Sequence, residues 1–297
     1  MGERDKNHSG IPKGLAEGLI VLQSIVYGFG DPISKIAFDA VPVYSMMAVR
    51  YSIAFAVCLL LFGKRIFRTV KTVPLRAWLI PGMSIGLSYI LNNVALALTE
   101  ATSVAFLRSM SVIITPALAF LLFRRKYKWQ QLLAQVLVIP GIYLLCVKGG
   151  LSGFGAGEAV ALLAAVLMAA TLVLSGKYLE QVDPVSMTAL QAGCSAVLAL
   201  GGCAVFEGGI EMSGADMKVW AIILYLAIMC TFLGYLMQNL ALTGTSERSV
   251  SLIQSLCPVM TAFFSLLLLG ERLTAAGIAG AAIIVLCALT EAWNVKE

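Results

Sequence analysis

Histidine is almost absent from this sequence: His8 is the single one, and it lies in a polar N-terminal stretch. His-assisted nucleophiles and histidine metal clusters are thereby excluded. Charge is scarce as well. Of 297 residues 12% are Asp, Glu, Lys or Arg and 60% are hydrophobic, and the mean hydropathy of +0.91 lies far outside the water-soluble range. The seven cysteines are odd in number and lack CxxC spacing, so they imply neither a disulfide framework nor a metal site, and each reads as a small apolar residue. No GxxxxGK[ST] string occurs, so the chain does not itself use ATP. Residues 1–13 carry Arg4, Lys6 and Lys13 without the apolar core of a signal peptide.

What is present is a series of apolar runs near or above the ~18 to 20 residues needed to cross ~30 Å of hydrocarbon as a helix. They predict helices at 15–36, 43–62, 77–98, 103–123, 129–147, 158–176, 184–206, 219–242, 249–269 and 274–292. The expected fold is an all-α integral membrane protein with ten transmembrane helices in two inverted five-helix repeats. Its parts are a cytosolic tail (1–14), a first repeat (15–148), a Gly-rich link (149–157) and a second repeat (158–293).

The repeat is visible directly. Laid without gaps on 232–272, the stretch 86–126 is identical at 12 of 41 positions, including Tyr89 with Tyr235, Asn93 with Asn239, Ser109 with Ser255 and Thr115 with Thr261. The first two helices of each half align at a shorter offset, which superposes Pro42-Val43 on Pro184-Val185. Lys and Arg in short loops set the orientation: with both termini cytosolic, inner segments hold 15 of them and outer loops four. Five helices per half is an odd number, so the second copy enters the membrane upside down.

Ala241-Leu242, the Ser-x-x-Pro of 255–258 and the Gly-Glu-Arg-Leu turn of 270–273 resemble the drug/metabolite transporter superfamily, EamA-type branch, over nearly the whole chain. Phe123 to Tyr127 replaces that turn in the first half, and Val112 stands where the second half has Pro258. The resemblance implies a multi-pass protein of a bacterial cytoplasmic membrane that works by alternating access. Its central cavity would be walled mainly by the first, third, fourth, sixth, eighth and ninth helices. It also implies a secondary transporter exporting a small organic metabolite such as an amino acid, an amine or a related solute. No cofactor and no nucleic-acid partner is expected; proton or ion coupling, and monomer or homodimer, stay open.

Polar residues at membrane depth point to a site, because hydrocarbon offers them no partners. On the cavity helices these are Gln23, Tyr27, Tyr89, Asn92, Asn93, Thr171, Tyr235, Gln238, Asn239 and Gln254, with Phe106 adding aromatic surface and Arg108 as a candidate for an anionic substrate group. The sets Tyr89/Asn92/Asn93 and Tyr235/Gln238/Asn239 are repeat mates, each on one helix face, and fit either substrate contact or an interhelical clamp. Asp31, Arg50 and Glu100 are candidates for an outer gate or ion pair. Arg108 superposes on Gln254 and Arg50 on Ala192, so the repeated fold does not itself require either charge.

Other functions compete. A lipid-precursor flippase of the same fold is the alternative within transport, and a channel lacks a filter motif. Gly28-Phe29-Gly30-Asp31 matches the GxGD string of intramembrane proteases, which need a second Asp at the same depth; none is apparent. Small residues at Gly82/Gly86 and Ala161/Ala165/Ala169 predict close helix packing. Pro258 is a candidate hinge.

Overall fold

The computed structural model describes residues 10–99, 101–125, 127, 129–146, 155–269 and 274–293, and among them every regular element is a helix. In chain order these are α1 (Lys13–Phe38), α2 (Val43–Thr72), α3 (Leu75–Leu98), α4 (Ala101–Ser109), α5 (Ser111–Phe123), α6 (Trp129–Cys146) and α7 (Ala156–Tyr178). They are followed by α8 (Pro184–Gly202), α9 (Met217–Tyr225), α10 (Gly234–Gly244), α11 (Glu247–Gln254), α12 (Leu256–Leu269) and α13 (Ala275–Trp293). Most of the Gly-rich link and the Gly-Glu-Arg-Leu turn lie outside the described residues. Short π-helical turns follow α8 (Cys203–Glu207) and join α9 to α10 (Leu226–Leu233).

Prolines at positions 12, 42 and 74 immediately precede α1, α2 and α3. Each fixes its own φ and lacks the N–H that would continue an earlier helix. In the second half side chains cap instead. Asp183 accepts from Ser186 N at 3.0 Å, Asp216 from Val219 N at 2.8 Å and Ser246 from Ser249 N at 3.2 Å, a kind of contact that stabilises a helix by about 1 kcal/mol.

Two expected boundaries are corrected. The segment from 63 onward is not a loop: α2 passes a non-helical Phe62 (φ −131°, ψ 17°) and runs on to Thr72, because Lys64, Arg65, Arg68 and Lys71 are good helix formers and no breaker comes before Pro74. At 1.5 Å per residue α2 is roughly 45 Å long, so its basic end projects beyond roughly 30 Å of hydrocarbon. The expected helices 103–123 and 249–269 are each divided, at Met110 (φ −61°, ψ −17°) and Ser255 (φ −63°, ψ −12°). Both residues donate their N–H three positions back, to Leu107 O at 3.0 Å and Leu252 O at 3.1 Å, a tightened 3₁₀-type turn. Pro258 is not what makes the joint, since α4–α5 has one with Val112 at the matching position.

Among the described residues seven spans are long and apolar enough to cross a membrane: Val43–Thr72, Leu75–Leu98, Val104–Phe123, Ala156–Tyr178, Pro184–Glu207, Met217–Gly244 and Glu247–Leu268. Leu132–Leu145 and Ala275–Leu289 are apolar but shorter. α1 is not among the seven. It carries Gln23, Ser24, Tyr27, Asp31 and Ser34 along its length, and it packs centrally, against α10, α11 and α12. Polarity is inverted relative to a soluble bundle, with Leu60, Leu121, Val197, Leu267 and Leu286 facing outward while Gln23, Gln191, Gln238 and Asn239 are fully buried.

The halves interlock rather than sit side by side. α2 lies antiparallel to α8: Glu207, just past α8, accepts from Tyr44 N at 2.8 Å and Ser45 N at 2.7 Å at the start of α2. Near the other end of α2, Arg65 meets Asp183 at 2.9 Å and Thr69 Oγ1 donates to Ser186 Oγ at 3.0 Å. α3 packs on α7 and α8, and α6 on α13. Glycine permits the closest approaches: a Cβ on Gly86 would lie 3.1 Å from Ser195 Cα, and one on Gly280 would lie 2.4 Å from Gly141 O.

Candidate functional site

Ser24, Tyr27, Asp31 and Ser34 recur at steps of three and four, which puts them on one face of α1. Two cavities lie along that face. One of about 40 Å³ is lined by Ser24, Tyr27, Tyr89, Arg108 and Gln254, and by Ser109, Ser111, Ser251 and Ser255 around the two helix joints. The other, about 20 Å³, is lined by Tyr27, Asp31, Ser34, Arg50, Tyr89, Asn92, Asn93, Arg108 and Cys230. Tyr27, Tyr89 and Arg108 border both. The first cavity sets serine and tyrosine hydroxyls and the Gln254 amide among the apolar Val112, Met168 and Pro258; the second concentrates charge.

The partition between them is aromatic. Tyr89 stacks on its repeat mate Tyr235 with centroids 5.6 Å apart, and Tyr27 meets Tyr89 edge-on at 6.1 Å. Tyr27 fits against α10 because residue 234 is glycine; a Cβ there would come 2.6 Å from Tyr27 Cε1. Arg108 completes the partition, with Nη2 donating to Asp31 Oδ2 at 3.1 Å and to Cys257 Sγ at 3.3 Å. Asp31 Oδ2 also accepts from Thr261 Oγ1 at 3.0 Å, so this carboxylate joins α1, α4 and α12.

Below the partition an amide cluster ties helices together. Gln254 Nε2 donates to Gln23 Oε1 and to Gln238 Oε1, both at 2.9 Å, and Gln23 Nε2 donates to Gly234 O at 2.7 Å. Asn239 Nδ2 donates to Gln191 Oε1 at 2.8 Å and Thr188 Oγ1 at 3.0 Å, linking α10 to α8. Its mate Asn93 instead donates to Tyr89 O in its own helix at 2.8 Å and borders the charged cavity with Asn92.

The structure thus gathers Tyr27, Asp31, Arg50, Tyr89, Asn92, Asn93, Arg108 and Gln254 around the cavities. Gln23, Tyr235, Gln238 and Asn239 are buried behind them. Thr171 donates to Leu167 O within α7, and Phe106 meets Tyr143 edge-on at 5.9 Å; neither lines either of these two cavities. Glu100 lies outside the described residues. Among the described residues Arg50 forms no ion pair. The lining serines escaped sequence reasoning, although Ser109 and Ser255, as repeat mates at the joints, carried a signal.

Asp31 is the one carboxylate on either cavity wall among the described residues, so the second carboxyl that a shared-proton dyad needs is not brought to it. The glycines of the GxGD string have packing duties: a Cβ on Gly28 would fall 2.3 Å from Met260 Cβ, and one on Gly30 2.7 Å from Cys230 Sγ. A further cluster closes one end of the bundle, where Glu247 accepts from Arg125 and, at 2.7 Å, from Tyr127 OH. Burial and the Glu247 carboxylate both push the Tyr127 phenol well above its usual pKa, so it stays a donor.

Apolar helices that turn amides, hydroxyls and an ion pair inward around paired cavities define a multi-pass membrane protein of the transporter class. The chain matches the EamA-like transporter family over residues 14–147 and 155–290 and belongs to it. It is 25% identical over 285 residues to an uncharacterized transporter of Archaeoglobus fulgidus, covering 94% of this chain and 86% of that one. A second uncharacterized transporter of the same organism is 26% identical over 190 residues, covering 63% of this chain and 65% of that one. A solved crystal structure shares the fold with a TM-score of 0.78 at 16% identity, over 95% of this chain and 99% of the other.

Proposed function

We propose that this protein is a secondary transporter that moves a small organic metabolite by alternating access, as an exporter in a bacterial cytoplasmic membrane. The observation that carries this reading is the pair of cavities in tandem along α1, with Tyr27, Tyr89 and Arg108 as common walls and Arg108 held by Asp31. A solute held at the partition would pass from one compartment to the other when those few contacts exchange. Proteins with this job have two discrete arrangements around a fixed central site.

Ten helices in two inverted repeats, residues 15–148 and 158–293, belong to the same proposal. The antiparallel packing of the repeat mates α2 and α8 supports inverted insertion, as does the stacking of Tyr89 on Tyr235 at the centre. Both termini are cytosolic in this arrangement, and the stretch 207–218 is external. Val70→Cys should then be silent to an impermeant thiol reagent in intact cells and Met212→Cys reactive; the opposite pattern would overturn the orientation.

Transport itself is tested in two steps. A thermal-shift screen of the purified protein against amino acids, amines, nucleosides and sugar phosphates should find a stabilising solute, with ~2.7 kcal/mol gained at 100 times Kd. That solute should then show saturable counterflow in proteoliposomes. Flux that grows linearly with concentration and is not stimulated by solute on the far side would point to a channel and sink the carrier reading.

A further inference from the structure

Resting on the transport reading, we infer that the charged cavity is an oxyanion site in which Arg50, rather than Arg108, binds a carboxylate or phosphate group of the ligand. Arg108 already has a counter-ion in Asp31. Arg50 has none among the described residues, although it is 5% exposed. Burying a guanidinium without a counter-ion is unfavourable and is not relieved by deprotonation, so a charge kept at such a place marks a function. The repeat sharpens this, because the equivalent position in α8 is Ala192, fully buried and uncharged.

Geometry leaves the binding end of Arg50 free. Its Nε donates to Thr231 Oγ1 at 2.9 Å, and Thr231 Oγ1 in turn donates to Leu226 O, five residues back in the π-helical turn, at 3.1 Å. That hydrogen bond and the Tyr51 ring, whose centroid lies 5.3 Å from Arg50 Cζ, orient the guanidinium plane. The two Nη groups donate to no acceptor among the described residues and belong to a side chain on the cavity wall. Two adjacent N–H donors in one plane match the two oxygens of a carboxylate or of a phosphate edge. The described lining holds Arg50, Arg108 and one acid, Asp31, an excess of one positive charge. Asn92 and Asn93, at the same wall, offer amides for a neutral portion of the ligand.

The test pairs anions with neutral twins of matched size at constant ionic strength: succinate with succinamide, and glycerol 3-phosphate with glycerol. Short-chain phosphatidic acid forms a further arm; a shift with it and not with glycerol 3-phosphate assigns the anion to a lipid headgroup, and the converse to a soluble metabolite. At least one anion should raise the unfolding temperature of the wild type while its twin does not. Arg50→Met should abolish that shift and weaken titrated affinity about 10- to 100-fold, and Arg50→Lys should keep a reduced shift, having charge without the planar fork. Ligand-free Arg50→Met should unfold at or above the wild-type temperature, because an unpaired buried charge has been removed. An unchanged anion shift in Arg50→Met, equal stabilisation by the neutral twins, no anion shift in the wild type, or an Arg50→Met that is markedly destabilised or fails to fold would each overturn the site. Neutral solutes that bind and exchange in proteoliposomes would do so while leaving the transport reading intact. Arg50-dependent anion binding without any exchange would sustain the site and defeat transport.

Discussion

The two copies of the repeat have kept the same backbone devices and given their polar side chains different work. Both have Thr at the end of the central helix, Thr99 and Thr245, in extended conformation with the N–H returned to Ala95 O or Ala241 O at 2.9 Å. Both have the tightened joint further on, at Met110 and Ser255. Yet the amides of the second copy are bound to other helices, Asn239 to α8 and Gln238 to Gln254, while Asn93 bonds its own helix and sits with Asn92 at a cavity wall. Arg108 of the first copy and Gln254 of the second occupy one repeat position and reach different partners. One half thus supplies most of the clamp and the other most of the charge, which is how a duplicated scaffold becomes an asymmetric site.

The largest expected effect comes from breaking the charged side of that comparison. Asp31→Asn leaves Arg108 without its counter-ion, and a guanidinium cannot shed its charge, so the loss should be about 3 kcal/mol, at the lower end for a pair that is only partly screened from water. Arg108→Gln, which installs the mate's residue, leaves a carboxylate that still accepts from Thr261 and should lose about half as much. Chemical unfolding in detergent compares the two; equal losses would show that the pair is not held by charge in the way described.

A smaller difference is expected between the amide mates. Asn239→Ala strands Gln191 Oε1 in the buried interface and should cost about 2 kcal/mol. Asn93→Ala removes a bond within one helix beside a cavity and should cost under about 1 kcal/mol. If Asn93→Ala is the more destabilising, the division between clamp and cavity is wrong.

The smallest effect tests the capping difference at the mates α2 and α8. Asp183→Asn keeps the side-chain acceptor that caps α8 and weakens the half-exposed pair with Arg65, so it should lower stability by under about 1 kcal/mol, whereas Asp183→Ala, which also removes the cap, should cost about 1 kcal/mol more. Glu207→Gln keeps an acceptor for only one of Tyr44 N and Ser45 N, which use separate carboxylate oxygens, and loses its charge at the α2 terminus; the loss should be about 1 kcal/mol, and salt should reduce it. A salt-insensitive loss at Glu207 would assign its role to shape rather than to charge.

Much of this was legible beforehand because membrane burial writes itself into composition. An apolar run fixes a helix, and Asn, Gln and Arg within it must face inward, so Tyr27, Asp31, Arg108 and Gln254 were identifiable without coordinates. Helix ends were legible only where a breaker stands: Pro42 and Pro74 bound α2, yet its passage through Phe62 to Thr72 was missed because basic residues suit a loop and a helix equally. The lining serines were missed because Ser is common in helices and usually returns its hydroxyl to the preceding turn, as Ser24, Ser34 and Ser109 do.

The sequence by itself determined the membrane class, the family, the duplication and which residues had to find polar partners, since hydrocarbon leaves a polar side chain no alternative. Only the tertiary structure decided who those partners are. Asp31 pairs with Arg108, 77 residues away, and not with Arg50, which is found against Thr231, 181 residues away. Those choices depend on crossing distances of a few ångströms between helices, on where Gly28, Gly30 and Gly234 let backbones close in, and on a π-helical turn that aims Thr231 at α2; none of these is encoded in the periodicity of a single segment.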